Sequence, residues 1–406
     1  MKIGIIGGGA SGMMAAITAA ERPENEIFLF ERQARVGRKL LATGNGRCNL
    51  SNLNCSTDNY HGSAPAFAAH ALTAFPPEEA LEFFHSFGLL TVAEPSGRVY
   101  PYTDQANSVV DVLRFALQRN NVHLMTACEI TAVRAENGKF FLRTSGNTYE
   151  TDRLIVAAGG LAGTNLGGSL SGYQLLRSLG HHCTKLNPSL VQIKTEDTLV
   201  KSLKGVRAQA AVQLLQNGAV LTAAKGEVQF TEYGVSGPAV FEVSRAASCA
   251  GEGCTVRLDL LPDFEGDKLL SALCIRIAKQ PQLTCDDLLT GFLHNRLGRV
   301  LLRCAGISGT AQLSELPWSQ LSAVCELAHC FELPVIGAMG MDHAQVTAGG
   351  ICTEEFDAET LQSRIVPGLY AAGEVLDIDG DCGGYNLQWA WASGHLAGKL
   401  TGDALC

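Results

Sequence analysis

The 406-residue chain has no apolar run approaching the about 18 residues of a membrane span, no C-x-x-C pair among its 14 cysteines, and no long run of lysine and arginine. The first absence excludes a helical membrane protein. The second leaves no thioredoxin-like redox pair and no zinc ribbon. The third, with a net charge of -9, argues against a dedicated nucleic-acid surface, so no nucleic-acid partner is expected. Neither a G-x-S-x-G elbow nor an H-E-x-x-H helix is present, and hydrolytic or zinc chemistry has nothing to build on. GHLAGK, near the end, has three residues between its glycines where a phosphate loop needs four, and Leu400 follows the lysine in place of Ser or Thr. The opening MKIGIIGGG lacks the parts of a signal peptide, so a cytoplasmic protein is expected. Its cysteines are then reduced and serve as small buried hydrophobes. Cys325, His329 and Cys330, neighbours on a helical surface, are read as packing with no metal.

What is present begins with size. A chain of 406 residues exceeds the roughly 250 to 300 at which one core stops growing, so at least two domains are expected. Residues 2 to 31 then carry a complete β-α-β dinucleotide pattern. Lys2 to Ile6 suit a buried parallel strand, Gly7, Gly9 and Gly12 follow in G-x-G-x-x-G spacing, SGMMAAITAAE reads as a helix, and EIFLFE ends at Glu31. Each letter has a physical use. Gly7 permits the tight turn, Gly9 lets a pyrophosphate approach the backbone, Gly12 lets helix and strand pack closely, and Glu31 accepts from a ribose hydroxyl. An acid there favours FAD or NAD over NADP.

The chain then enters GRKLLATGNGRCNLSN, 37 to 52, cationic at its start and rich in glycine and asparagine. Arg38, Lys39 and Arg47 are brought together there, and the segment suits a run along a pyrophosphate toward a larger ring system. A further strand is expected in RLIVAAGG, 153 to 160, and another in GLYAAGE, ending at Gly373 and Glu374. After an acidic loop, Gly383 and Gly384 precede a helix beginning near Asn386, whose N-terminus suits an anion or a carbonyl oxygen. Two nucleotide-type turns at opposite ends of the chain imply a discontinuous domain.

Together IGGGASGMMAA, GRKLLATGNGRCNLSN, LIVAAGG, GEVQFTEYGVSGPAVFEVSR, QVTAGGI and PGLYAAGEVLDIDGDCGGYNLQWAWASG resemble the BaiN-like NAD(P)/FAD-dependent oxidoreductases. These are also called aminoacetone oxidase family FAD-binding enzymes, of glutathione-reductase type. The resemblance implies tightly bound FAD. It places Ala10, Ser11 and Gly12 at the pyrophosphate, Glu31 and Arg32 at the adenosine ribose, and Gly37, Arg38 and Lys39 by the phosphates. Thr43, Gly44, Asn45, Arg47, Cys48 and Asn49 approach the flavin, while Glu129 and Ile130 meet adenine. Ala158, Gly159 and Gly160 line the cofactor. Gly373, Glu374, Gly384, Tyr385, Asn386, Leu387 and Gln388 hold the ribityl and flavin end. One departure is GSLSGYQ from 168, where relatives commonly read GSTGDGY, so that aspartate's role does not transfer.

The expected fold is α/β: a discontinuous Rossmann-like FAD-binding domain, 1-190 and 342-406, with a β-barrel-like insert, 191-263 plus about 334-341, and a small helical subdomain, 264-333. The insert's short alternating strands include VQIKT, VRAQAAVQLLQ, AVLTAAKGEVQF and TVRLDL. Helical periodicity follows through Leu270, Leu273 and Ile277, then Leu289, Phe292, Leu293, Leu297 and Val300, then a third piece through Ala328. Such inserts roof the flavin and shape access to it.

The expected function is hydride transfer between flavin N5 and a small organic substrate. No second G-x-G-x-x-G follows a strand, so NAD(P)H, if used, is a transient co-substrate that enters the substrate's own cavity. Cys48 and Cys55 have six residues between them where disulfide reductases have four, which disfavours a redox cysteine pair. Tyr385 and His343, with Asp377, Asp379 and Asp381, are acid-base candidates. The alternative is a non-catalytic flavin protein whose redox state regulates a partner.

Overall fold

The computed structural model describes residues 1–120, 122–264 and 266–401, and the chain divides into two compact units. One unit joins Met1–Asn187 to Gln345–Cys406; the other is Pro188–Ala344. The contact boundaries thus fall at 187/188 and 344/345 rather than at 190/191 and 341/342.

The first unit is built on a five-stranded parallel sheet. Its strands are β1 (Lys2–Ile6), β2 (Glu26–Phe30), β3 (His123–Met125), β4 (Arg153–Val156) and β5 (Leu369–Ala371), in the order β5-β4-β1-β2-β3. Ile5 stands opposite Leu29 on one side and Ile155 on the other. Every residue of β1 after Lys2 is buried, as apolar runs in a two-sided parallel sheet must be. Beyond β1 the order runs one way to β2 and β3 and the other way to β4 and β5. That reversal leaves a crevice at the strand C-termini, where open α/β sheets place ligands.

Helix α1 (Ala10–Ala19) is buried on all sides from Ser11 to Ala19, which its Ala and Met content permits. The last helix, α2 (Tyr385–Gly398), lies directly against it. A Cβ at Gly394 would be 2.4 Å from the Ser11 carbonyl oxygen, and one at Gly398 2.6 Å from that of Ala15. GHLAG is therefore a backbone-to-backbone packing motif. Beside the expected elements the unit holds a three-stranded antiparallel meander, Ala132–Glu136, Lys139–Arg143 and Thr148–Thr151. Asn137 and Gly138 turn its first hairpin at φ of +54° and +75°, both left-handed as that two-residue turn requires.

The second unit contains a closed six-stranded antiparallel barrel. Its strands are Ile193–Thr195, Arg207–Gln216, Ala219–Phe230, Gly234–Ser236, Cys254–Asp259 and Phe331–Ala338. Helix Pro238–Ala250 interrupts the expected run of short strands and packs Val240, Val243 and Ala247 into the same core. Helices Gly266–Lys279, Asn295–Cys304 and Trp318–His329 share that core. They therefore do not form a core of their own. The periodic Leu289, Phe292 and Leu293 are not helical: Gly291 has φ of +88°, and the helix begins only at Asn295. Cys325 is buried, and His329 pairs with Asp259 at 2.9 Å, consistent with packing.

His395, in the last turn of α2, stacks on Phe75 at 4.3 Å and shares a hydrogen bond with Thr18. Burial, helped by Lys399, lowers its pKa from 6.5 to about 4. The unfolded chain therefore binds a proton below pH 6.5 that the folded chain refuses until about pH 4, and stability falls with pH across that window. Thermal denaturation of His395→Leu should show a shallower loss of melting temperature between pH 7 and pH 4.5 than the parent; an unchanged slope would refute this.

Candidate functional site

The crevice is shaped first by three glycines with different constraints. Gly7 leaves β1 at φ of +109°, and a Cβ there would lie 2.3 Å from the Ala157 carbonyl oxygen. A Cβ at Gly12 would lie 1.8 Å from the oxygen of Gly7. A Cβ at Gly9 would meet nothing within 4 Å. The fold itself requires the first and third glycines, while only something outside the chain would require the second. Helix α1 starts at this open face with no side-chain cap and no acid in its first turn, so the amides at Ala10 and Ser11 keep their anion-attracting character. The Glu31 carboxylate accepts from the Gly8 amide at 2.8 Å and from Gln33 at 2.7 Å, which closes the turn. Arg32 donates to the Gly167 carbonyl and lies 4.0 Å from Glu129. Ile130 is buried just after a turn tied to Glu31 through the Cys128 amide.

Gly37 anchors the cationic segment to this turn, its amide reaching the Gly8 carbonyl at 2.8 Å. The three cations then separate. Arg38 donates to Gln33 Oε1 and to the Asn165 carbonyl, each at 2.9 Å, and has no carboxylate partner among the described residues. Lys39 lies 2.7 Å from Glu374. Arg47 turns away to Asp104 and Glu94 and lies 4.1 Å over the Tyr100 ring. The partners of Lys39 and Arg47 stand 335 and 57 positions away, which no local pattern reveals.

On either side of Arg47, Gly44, Asn45, Gly46 and Cys48 all have φ between +56° and +87°. Thr43 Oγ1 bonds back to the Leu40 carbonyl at 2.7 Å, and its own carbonyl accepts from the Cys48 amide. Cys48 is fully buried, and burial pushes its thiol up to about 12, so no reactive thiolate stands there. Asn49 Oδ1 is buried with no hydrogen-bond partner.

The other wall comes from the far end of the chain. Ala158, Gly159 and Gly160 follow β4; a Cβ at Gly159 would meet nothing within 4 Å, but one at Gly160 would lie 2.4 Å from Glu374 Oε1. That oxygen accepts from the Thr347 amide at 2.8 Å, so Glu374 is held between Thr347 and Lys39. Gly373, at φ of +76°, leaves only 2.5 Å between an added Cβ and Ser11 Oγ. Helix α2 begins after Gly384 without a side-chain cap or an acid in its first turn. A Cβ at Gly384 would be 2.9 Å from Asn49 Oδ1, which places the unpartnered oxygen beside the second uncapped N-terminus.

Not every predicted contact residue is open. Gln388 is fully buried, accepting from Ser51 Oγ at 2.7 Å and donating to the Phe75 carbonyl at 2.8 Å. It is a strut between segments. Asn386 clasps both backbone groups of Gly380, and Leu387 packs against the core. The Tyr385 carbonyl accepts from the Tyr60 hydroxyl at 2.9 Å. Asp377 accepts from Ser63, Asp379 is buried, and Asp381 pairs with His61, which no local sequence pattern marks. His343 belongs to the barrel unit, 3.4 Å from Asp342. In the GSLSGYQ segment, Ser169 Oγ lies 2.8 Å from Ser171 Oγ.

The unobstructed faces of Gly9 and Gly159, two uncapped helix N-termini and an orphaned amide oxygen fit FAD. The family described as the HI0933-like protein Rossmann domain matches residues 1–400. The chain belongs to this family. It is an FAD-dependent oxidoreductase. The chain is 41% identical to a 3-dehydro-bile acid delta(4,6)-reductase of Clostridium scindens, over 99% of both chains. It is 30% identical to the ribosomal RNA dihydrouridine synthase of Escherichia coli, over 96% of this chain and 95% of that one. A 3-ketosteroid delta1-dehydrogenase structure from Sterolibacterium denitrificans aligns over 98% of both chains at 12% identity, with a TM-score of 0.48.

Two outcomes follow for this site. Gly9→Ala should fold with an unchanged melting temperature as the flavin-free protein yet retain less FAD on purification, whereas full retention would show that no phosphate lies over Gly9. Lys39→Met should lower stability by stranding the Glu374 carboxylate, and Glu374→Gln in that background should restore part of it. A double-mutant cycle by chemical denaturation should give a coupling of about 1 kcal/mol, and additivity would deny the pair its role.

Proposed function

We propose that this protein uses FAD held in the crevice, and NAD(P)H as donor, to reduce a carbon–carbon double bond conjugated to a carbonyl in a small, largely apolar ketone. The observation that supports flavin chemistry most directly is the pairing of two uncapped helix N-termini with the unpartnered Asn49 oxygen. Ala10, Ser11 and Arg38 would hold the pyrophosphate, Glu31 the ribose, and Asn49 with the amides after Gly384 the flavin ring. Bound FAD supplies hydride transfer at N5. The positive end of α2 would stabilise negative charge on the ring edge it faces. Lys39 would fix Glu374 rather than bind phosphate. With no second dinucleotide pattern, the nicotinamide and the substrate would take turns on one open face.

The substrate class rests on the 41% identity to a reductase of a 3-oxo compound over nearly the whole of both chains. A second reading has support in the 30% identity to a dihydrouridine synthase. Both products come from one chemistry, because the double bond of uracil is also conjugated to a carbonyl. The net charge of -9 favours the small ketone over RNA.

Anaerobic mixing with NADH or NADPH should bleach the flavin within seconds, and a 3-oxo-4-ene steroid should then restore its colour while uridine-containing RNA does not. Recovery with RNA alone would favour the second reading. No bleaching with either nucleotide would overturn the donor assignment.

A further inference from the structure

Conjugate reduction needs two deliveries. The β-carbon receives a hydride, which bound FAD supplies, and the π pair of the double bond moves onto the α-carbon and carbonyl oxygen as an enolate. The α-carbon must then take one proton, so the substrate gains two electrons and two hydrogens in all. The electrons come from NAD(P)H, but the proton needs an acid, and Cys48, Tyr60 and Asp377 do not supply it. Cys48 is buried with its thiol pushed up to about 12. The Tyr60 hydroxyl is committed to the Tyr385 carbonyl, and burial raises it well above its ordinary value. Asp377 lies buried, with one oxygen taken by Ser63.

We infer that His61, oriented by Asp381, is the acid that protonates the α-carbon; this rests on the conjugate-reduction reading above. His61 Nε2 lies 2.7 Å from Asp381 Oδ1. The other carboxylate oxygen accepts from Asn59 Nδ2 at 3.2 Å. The Asp381 backbone is fixed too, its amide reaching the Asn59 carbonyl at 2.9 Å and its carbonyl accepting from Asn386 at 3.2 Å. An ionised carboxylate only accepts, so the proton on the imidazole faces Asp381 at Nε2 and the remaining nitrogen, Nδ1, is directed away. Nδ1 has no partner among the described residues, and the side chain is 37% exposed. Such a pair differs from an ordinary surface contact in that its carboxylate is held on several sides and its free nitrogen stays open.

Its position supplies the second part of the inference. His61 stands opposite Asp379 in a two-stranded ribbon, and Tyr60 beside it reaches the first residue of α2. The Asp381 carbonyl accepts from Asn386, the second residue of α2, so the dyad adjoins the first turn of the helix whose uncapped N-terminus lies beside Asn49. As imidazolium, His61 gives its Nδ1 proton to the α-carbon, becomes neutral, and is reprotonated from water. Asp381 is a positioning residue that holds the orientation of the ring.

The test uses the FAD-loaded protein. In anaerobic stopped-flow experiments, His61→Gln should leave flavin bleaching by NADPH unchanged and slow recovery of the colour by 4-androstene-3,17-dione about 100-fold. Asp381→Asn should act in the same direction with a smaller effect. A readout independent of turnover is carbethoxylation of the parent protein by diethyl pyrocarbonate, followed by mass spectrometry of the peptide holding His61. The steroid should protect that peptide, and this arm decides the matter even where His61→Gln fails to fold. Equal labelling with and without steroid, or recovery at the parent rate in His61→Gln, overturns the assignment while leaving the reaction intact. If the parent protein itself is not reoxidised by any conjugated carbonyl, the reading of the reaction fails and the role of His61 with it.

Discussion

The contact between α1 and α2 is the constraint on which the flavin unit depends. Gly394 and Gly398 bring the last helix so close that an added Cβ would lie inside contact distance of α1 carbonyl oxygens. Gly373 does the same against Ser11, and Gly12 against Gly7. Dispersion at such separations is strong because backbone meets backbone with no side chain between, and it is equally unforgiving of any methyl group. The arrangement joins both helices in one unit, with α1 starting at the C-terminal end of β1 and α2 starting beside Asn49. Two partial positive charges from opposite ends of the sequence therefore serve one crevice.

Against that rigid frame, the segment from Thr43 to Cys48 carries its irregularity by design. Four residues in the left-handed region within five positions include two that are not glycine. Such backbone persists only when its surroundings over-determine it. Here they do: Arg47 is clamped by two acids and an aromatic ring, Cys48 is sealed in the core, and Trp391 donates to the Leu50 carbonyl. The ion pairs around the loop act as fasteners, and this explains why three neighbouring cations do not converge on one anion.

The parts legible from sequence were those whose physics is local. The β-α-β turn, the parallel strands and the glycine before α2 each follow from spacing, burial and the freedom of one residue type. Helix Pro238–Ala250 was hidden because short strands surround it, although Gly237 followed by proline is a helix start. Leu289, Phe292 and Leu293 imitated helical periodicity across a glycine that turns the chain. Lys39 with Glu374 and His61 with Asp381 were beyond reach, since each pair spans more than 300 positions and neither residue advertises its partner. Charge partners are set by the fold, and only the fold reveals them.

The stacking of the final helix on the first also has a consequence for biosynthesis. A nascent chain that has emerged only as far as Gly384 contains the barrel unit and all five parallel strands, yet it lacks α2 and with it the second helix N-terminus. The crevice is therefore finished only after the whole barrel unit has been made. Cofactor capture therefore waits on the synthesis of α2, because one wall of the cradle comes with that helix.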